Sequence, residues 1–230
     1  MNAVQQPAAQ EPAAQEPAVL WRPDPDTARG SRVAGFARWL REHRGVDVDE
    51  LDYPGLHDWS VRDLDGFWSA VAEHLGVIFH EPPASTLGRR EMPGTQWFPG
   101  STLNYAEHAL TPGPGREDDD VAAVAVVEDG TEKVVTHAEL RDLVARARAG
   151  LTAAGVGRGD RVVAMVPNSV ETLVAFLATA SLGAVWSSCS PDFGARAVLD
   201  RFAQIEPTVL VAVDGYRYNG RGFDLSLIHI

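Results

Sequence analysis

The stretch RVVAMVPNSVETLVAFLATASLGAVWSS (residues 161–188) carries the signature of the fold. It opens on an apolar run, 161–166, short enough for a strand and without polar alternation. A segment follows, 169–183, that is apolar nearly all round and long enough for a helix. A second short apolar run, AVWSS, closes it. A strand buried on both faces, a buried helix and another strand are the parts of a βαβ unit in a parallel sheet.

Reading outward, the pattern repeats. Towards the C-terminus, GARAVLDRFAQIEP predicts a helix stopped by Pro207, and TVLVAV (208–213) another strand. Towards the N-terminus, Thr136 and Glu139 form the two halves of a capping box. Leu140, Val144, Ala147, Leu151 and Ala154 then paint one helical face, ended by Gly155. VAAVAVV (121–127) is a continuous apolar strand, and Asp129-Gly130 turns it into a second short one. The fold class is α/β: parallel βαβ units covered by helices, with a helical N-terminal region.

That region spans 21–110. A helix is expected from Ser31 to Arg44, with Val33, Phe36 and Leu40 on one face. Another is expected from a Ser60 cap to Gly76, carrying Val61, Leu64, Trp68, Val71 and Leu75. Residues 81–100 are rich in Pro and Gly and read as an irregular connection, before a short helix from Ser101 to Leu110. Residues 111–120 are a linker. Residues 1–20, with AAQEP twice in tandem, lack large apolar side chains and read as a disordered tail.

Composition narrows the function. Against 20 Lys+Arg stand 32 Asp+Glu, a net charge of -12. An acidic chain gains nothing from counterion release, so nucleic acid is not an expected partner. Cys189 stands alone, so no internal disulfide forms, which favours a reducing compartment. The start of the chain has no basic and apolar secretory pattern. The run Thr172–Trp186 is too short to span a bilayer. A cytoplasmic location without a membrane partner is expected.

In a parallel sheet, ligands collect beyond the carboxyl ends of the strands. Three such ends are readable: PNSVE after Val166, CSPDFG after Ser188 and DGYRYNGR after Val213. The last reads as a loop with Gly215 and Gly220 at its turns and two arginines, Arg217 and Arg221. Guanidinium forks suit a phosphate, but two solvated surface arginines are the commoner meaning of such a loop. SPDFG reads as a turn. Cys189 follows a buried strand with no motif tying a histidine to it, so it reads as packing. GVGRGDRV (155–162) follows a helix and precedes a strand, the reverse of a phosphate-binding turn. His108 and His137 read as surface or capping residues. Asp118 to Asp120 is a solvated acidic run rather than a metal cage.

Several stretches together resemble the adenylate-forming acyl-CoA synthetases. GVGRGDRVVAMVPNSVETLVAFLATASLGAVWSSCSPDFG carries the family's GDRV, PN, E and GA landmarks, and the likeness runs on through LDRFAQIEPTVLVAVDGYRYNGR. LWRPDPDTARGSRVAGFARWL, LHDWSVRDLDGFWSAVAEHLGV and MPGTQWFPGSTLNYAEHAL are similar to the acetoacetyl-CoA synthetases within it. Residues 121–224 are then the start of an AMP-binding domain.

The resemblance implies an acid–thiol ligase using ATP, Mg2+ and coenzyme A on small-molecule substrates. Acetoacetate and ATP give an acyl-adenylate, which the coenzyme A thiol then cleaves. It implies that Arg217 and Arg221 contact the coenzyme A phosphate; their mutual spacing here departs from the family's. Pro191 and Asp192 would lie near the pantetheine. The family's TSGTTGxPK phosphate loop, its YGxTE motif and its mobile lysine domain have no counterpart in these 230 residues. The implied reading is an N-terminal fragment, inactive alone. A short-chain or acetyl-CoA synthetase fragment, and a non-catalytic α/β binding module, are the alternatives. LSLIHI (225–230) departs from the family pattern, and its codons can match a library adapter. It is expected to be a non-native, poorly packed tail in which His229 has no role.

Overall fold

The computed structural model describes residues 19–113 and 115–226. The tail expected over 1–20 falls outside them, Val19 and Leu20 excepted; both are exposed. The chain divides into two units. One holds the chain to Gly76 with Ser85–Trp97; the other holds Val77–Ala84 and everything from Phe98 onward.

The first unit is helical. Helix α1 (Pro25–Arg29) starts where the Asp24 carboxylate accepts the amides of Asp26 and Thr27, and α2 (Arg32–Arg44) starts at a Ser31 cap. Its buried face is Ala34, Ala37 and Leu40, whereas Val33, expected inside, is 46% exposed. The single helix expected from Ser60 is two: α3 (Tyr53–Arg62) and α4 (Leu64–His74). Asp63 divides them. Its backbone leaves the helical region at φ -116°, ψ 73°, and its carboxylate accepts the Gly66 amide at 2.9 Å. Asp52 caps α3 on Gly55 in the same way. Ser60 lies inside α3, with its hydroxyl donating to the His57 carbonyl at 2.7 Å. Both Asp caps stand against a glycine: a Cβ on Gly55 or Gly66 would lie 2.1 or 2.2 Å from the capping carboxylate. Gly76, at φ 63°, stops the run as its sequence position predicts. Leu40, Val48, Leu56 and Ala70 form the core of this unit, with Trp39 and Trp59 packed on it.

The second unit takes in part of the region expected to be helical N-terminal structure. Helix α5 (Tyr105–Leu110) is capped by Asn104, whose oxygen accepts from Ala106 and Glu107. The same side chain donates through Nδ2 to the Ala180 carbonyl at 3.2 Å, and Ala106 is fully buried in the main core of this unit. His108 is a connector rather than a surface residue: its Nε2 accepts the Ile78 amide at 2.7 Å.

Strands β1 (Val121–Val126) and β2 (Glu132–Thr136) pair antiparallel with each other only. The first is less buried than its apolar run suggests, with Val126 63% exposed. The capping box at Thr136 and Glu139 starts α6 (His137–Ala153). The parallel sheet has the order β4-β3-β5, from β3 (Arg161–Met165), β4 (Val185–Cys189) and β5 (Val209–Ala212). Being central, β3 hides Val162, Val163 and Ala164 almost completely. Helix α7 (Val170–Ser181) joins β3 to β4, and α8 (Ala195–Phe202) joins β4 to β5. Leu140 and Val144, from the apolar face of α6, meet Val170, Val174 and Leu177 of α7 in one cluster. A second cluster joins Val163 and Met165 to Cys189, Val198 and Phe202. Each large apolar side chain so buried contributes about 1.5–3 kcal/mol.

The largest departure is DGYRYNGR, expected to be a loop. It forms a hairpin of β6 (Gly215–Tyr218) and β7 (Arg221–Asp224). Asn219 and Gly220 turn it with φ of 50° and 72°, the double positive φ of a type I′ turn. Leu225, expected to start a poorly packed tail, donates its amide to the Asp214 carbonyl at 2.7 Å and packs on the second cluster. Residues 227–230, with His229, lie outside the described residues.

Candidate functional site

Beyond the carboxyl end of β3 the chain runs through Pro167, Asn168 and Ser169 into α7. The Ser169 hydroxyl accepts the Thr172 amide and Thr172 Oγ1 donates to the Pro167 carbonyl at 2.7 Å, so this turn is fixed from both sides. The β6–β7 hairpin, which follows β5, and the β1–β2 turn stand beside it. Between them lies a cleft of ≈ 590 Å³. Arg217, Glu128, Asp129, Asn168 and Ser169 line it. Two of the three strand ends singled out in the sequence thus meet at one place.

Strand alternation sorts the two arginines. In the hairpin Arg217 stands opposite Gly222, and Tyr218 opposite Arg221. Opposed residues share a face and successive residues alternate, so Arg217 and Arg221 project to different sides. The Tyr216 and Phe223 rings, stacked with centroids 5.0 Å apart, lie on the Arg221 side, and Tyr216 also borders the cleft. Arg217 lines the cleft; Arg221 does not. Only one of the two expected phosphate ligands is therefore brought to it. The Asn-Gly pair at 219–220, a standard hairpin signal, is the feature that could have predicted this in the sequence.

The cleft is mixed in charge. The Thr131 hydroxyl and amide hold the Asp129 carboxyl below the usual carboxylate range, with a smaller part from the Arg217 charge. Glu128 reaches the hairpin tip: its Oε2 accepts the Gly220 amide at 3.0 Å, across 92 residues of sequence. Sequence reading passed over both carboxylates, because nothing in EDGTEK says that a segment ninety residues later folds onto it.

Other expected residues fall elsewhere. Pro191 is buried and Asp192 exposed, and neither lines this cleft. Phe193 of the same turn sits under the Arg201 guanidinium, 4.7 Å from the ring centre. Cys189 is 8% exposed, and burial pushes its thiol pKa up, as suits a packed side chain. Asp118 pairs with Arg141 at 2.5 Å. His137 Nδ1 is buried without a hydrogen-bond partner among the described residues. No group of three or more His, Cys, Asp or Glu gathers as a metal site among the described residues, so none of them is assigned to Mg2+.

A family model described as AMP-binding enzyme matches residues 115–224, which include the cleft, and one described as acetyl-coenzyme A synthetase N-terminus matches residues 53–109. Residues 115–224 are thus similar to the AMP-binding enzymes. Relatives of the chain include the acetoacetyl-coenzyme A synthetase of Rhizobium meliloti (strain 1021), 44% identical over 210 residues, which are 90% of this chain and 31% of that protein. A malonamoyl-CoA synthetase of Penicillium aethiopicum is 32% identical, over 88% of this chain and 28% of that protein. Among solved structures, the acetoacetyl-CoA synthetase from Streptomyces lividans superposes with a TM-score of 0.83 at 52% identity, covering 90% of this chain and 32% of that one. The chain thus spans about a third of the length of the relatives that it matches.

Proposed function

We propose that the chain is the N-terminal part of an acetoacetate–CoA ligase. The observation that carries this is the 52% identity to the Streptomyces lividans acetoacetyl-CoA synthetase, sustained over 90% of the chain with a TM-score of 0.83. In the proposed reaction the acetoacetate carboxylate attacks the α-phosphorus of ATP and pyrophosphate leaves. The coenzyme A thiol then attacks the acyl carbon, and AMP leaves with the oxygen that linked it.

Within that reaction these residues supply binding rather than chemistry. Arg217, on the cleft face of the hairpin, donates to a phosphate of coenzyme A; a guanidinium presents a planar fork of donors to such a group. Arg221 stands on the other face of the hairpin, does not line the cleft and adds only a long-range positive field, which salt screens. None of the described residues is assigned to ATP or Mg2+. The working location is the cytoplasm; no helix among the described residues is long and apolar enough to cross a membrane.

The malonamoyl-CoA synthetase relative favours testing the acid directly. The test is a chimera in which this chain replaces the corresponding third of the Streptomyces lividans enzyme. Acetoacetate-dependent formation of acetoacetyl-CoA, well above that with acetate or malonamate, is expected. A soluble chimera that prefers another acid overturns the substrate assignment. The 230-residue chain alone is expected to show no acetoacetate-dependent ATP–pyrophosphate exchange, since its sequence lacks the family's phosphate loop, whose donors would stabilise the transferring group.

A further inference from the structure

The β6–β7 hairpin belongs to a two-stranded sheet of its own. An isolated two-stranded hairpin is marginal in water, and every residue of β7 is exposed. Its base is tied down where Leu225 donates to Asp214. Its tip would otherwise be free to swing. The tip meets the β1–β2 turn through one bond, from the Gly220 amide to Glu128 Oε2 at 3.0 Å. Gly220 is three residues from Arg217 and lines the same cleft, as do Glu128 and Asp129.

We propose that Glu128 is a positioning residue: its carboxylate, by holding the Gly220 amide, sets the hairpin so that Arg217 faces the cleft and meets the coenzyme A phosphate. This rests on the assignment of Arg217 to that phosphate. The bond needs an acceptor at the end of a side chain of this length. It does not need a charge. An acceptor that is neutral serves the same purpose, whereas removing the side chain releases the tip. The alternative role for a carboxylate here is competition: an anion beside Arg217 occupies the guanidinium until the ligand displaces it. The two roles differ in sign, because positioning strengthens binding and competition weakens it.

The experiment titrates the 230-residue chain and its variants with coenzyme A and with 3′-dephospho-coenzyme A, and follows hydrogen exchange at the Gly220 amide. Wild type is expected to prefer coenzyme A about tenfold, and Arg217→Ala to abolish the preference. Glu128→Ala should lose most of the preference and the protection of the Gly220 amide. Glu128→Gln should restore both to within about twofold of wild type. If Arg217→Ala keeps the preference, the phosphate assignment fails and takes this inference with it. If Arg217→Ala abolishes it while Glu128→Ala leaves it unchanged, the assignment stands and the positioning role fails. Tighter binding in both Glu128 variants also overturns it, in favour of competition.

Discussion

Arg217 and Arg221 sit in one hairpin but on opposite faces, because Arg221 is paired with Tyr218 and Arg217 with Gly222. Two positive charges four residues apart are thereby given different surroundings. Arg217→Ala should weaken coenzyme A binding by about 1.5–3 kcal/mol, the worth of a charge-assisted hydrogen bond, without changing adenylate formation in an active chimera. Arg221→Ala should cost much less. Equal losses from the two substitutions would show that the hairpin binds through both faces.

Gly215 faces the other strand at the base of the hairpin. A Cβ there would lie 2.7 Å from the Phe223 carbonyl oxygen, which is backbone and has little room to give. Gly215→Ala is expected to pry the strands apart and abolish exchange protection in β6 and β7, while the Val162–Met165 amides of β3 stay protected. Loss of protection in both places would mean that the hairpin and the sheet unfold together.

The capping box on α6 makes a quantitative prediction for stability. Thr136 Oγ1 accepts the Glu139 amide at 3.2 Å and Glu139 Oε2 accepts the Thr136 amide at 2.9 Å. Thr136→Ala should destabilise the second unit by about 1 kcal/mol in urea titration, within the usual range for a lost cap. An unchanged midpoint would show that packing of Leu140 and Val144 alone fixes where α6 begins.

Cys189 lies between Val163, Met165, Val198 and Phe202, with its thiol pKa raised by burial. Thiolate is the reactive form, so modification by a disulfide reagent at neutral pH should be slow in the native chain and rapid in denaturant. Cys189→Ala should leave ligand binding unchanged. Rapid native modification would place the thiol at the surface.

What was legible before folding is what local chemistry decides. The strand over 161–166 and the helix after it were readable because their apolar runs admit no other burial. The α6 boundaries follow from Thr136, Glu139 and Gly155, all within a turn of the helix ends. Asp63 is not legible as a break because the apolar spacing of Val61, Leu64 and Trp68 continues across it, and the cap that interrupts the helix is a short-range bond that periodicity does not register. The Asn219-Gly220 turn was legible in principle, since Asn-Gly favours the positive φ angles of a tight hairpin.

The order of residues was enough for the parallel βαβ core and the presence of Arg217 after the last strand of that core. Each follows from apolar periodicity, caps or turn residues acting over a few positions. It took the folded chain to establish that Asn104 carries α5 onto α7, that Arg217 and Arg221 lie on opposite faces of the hairpin, and that Glu128 meets Gly220 across 92 residues. Those are contacts between segments distant in the chain, or a choice of face made by strand pairing. Their partners are chosen by which surfaces folding brings together, and no spacing within either segment encodes the other.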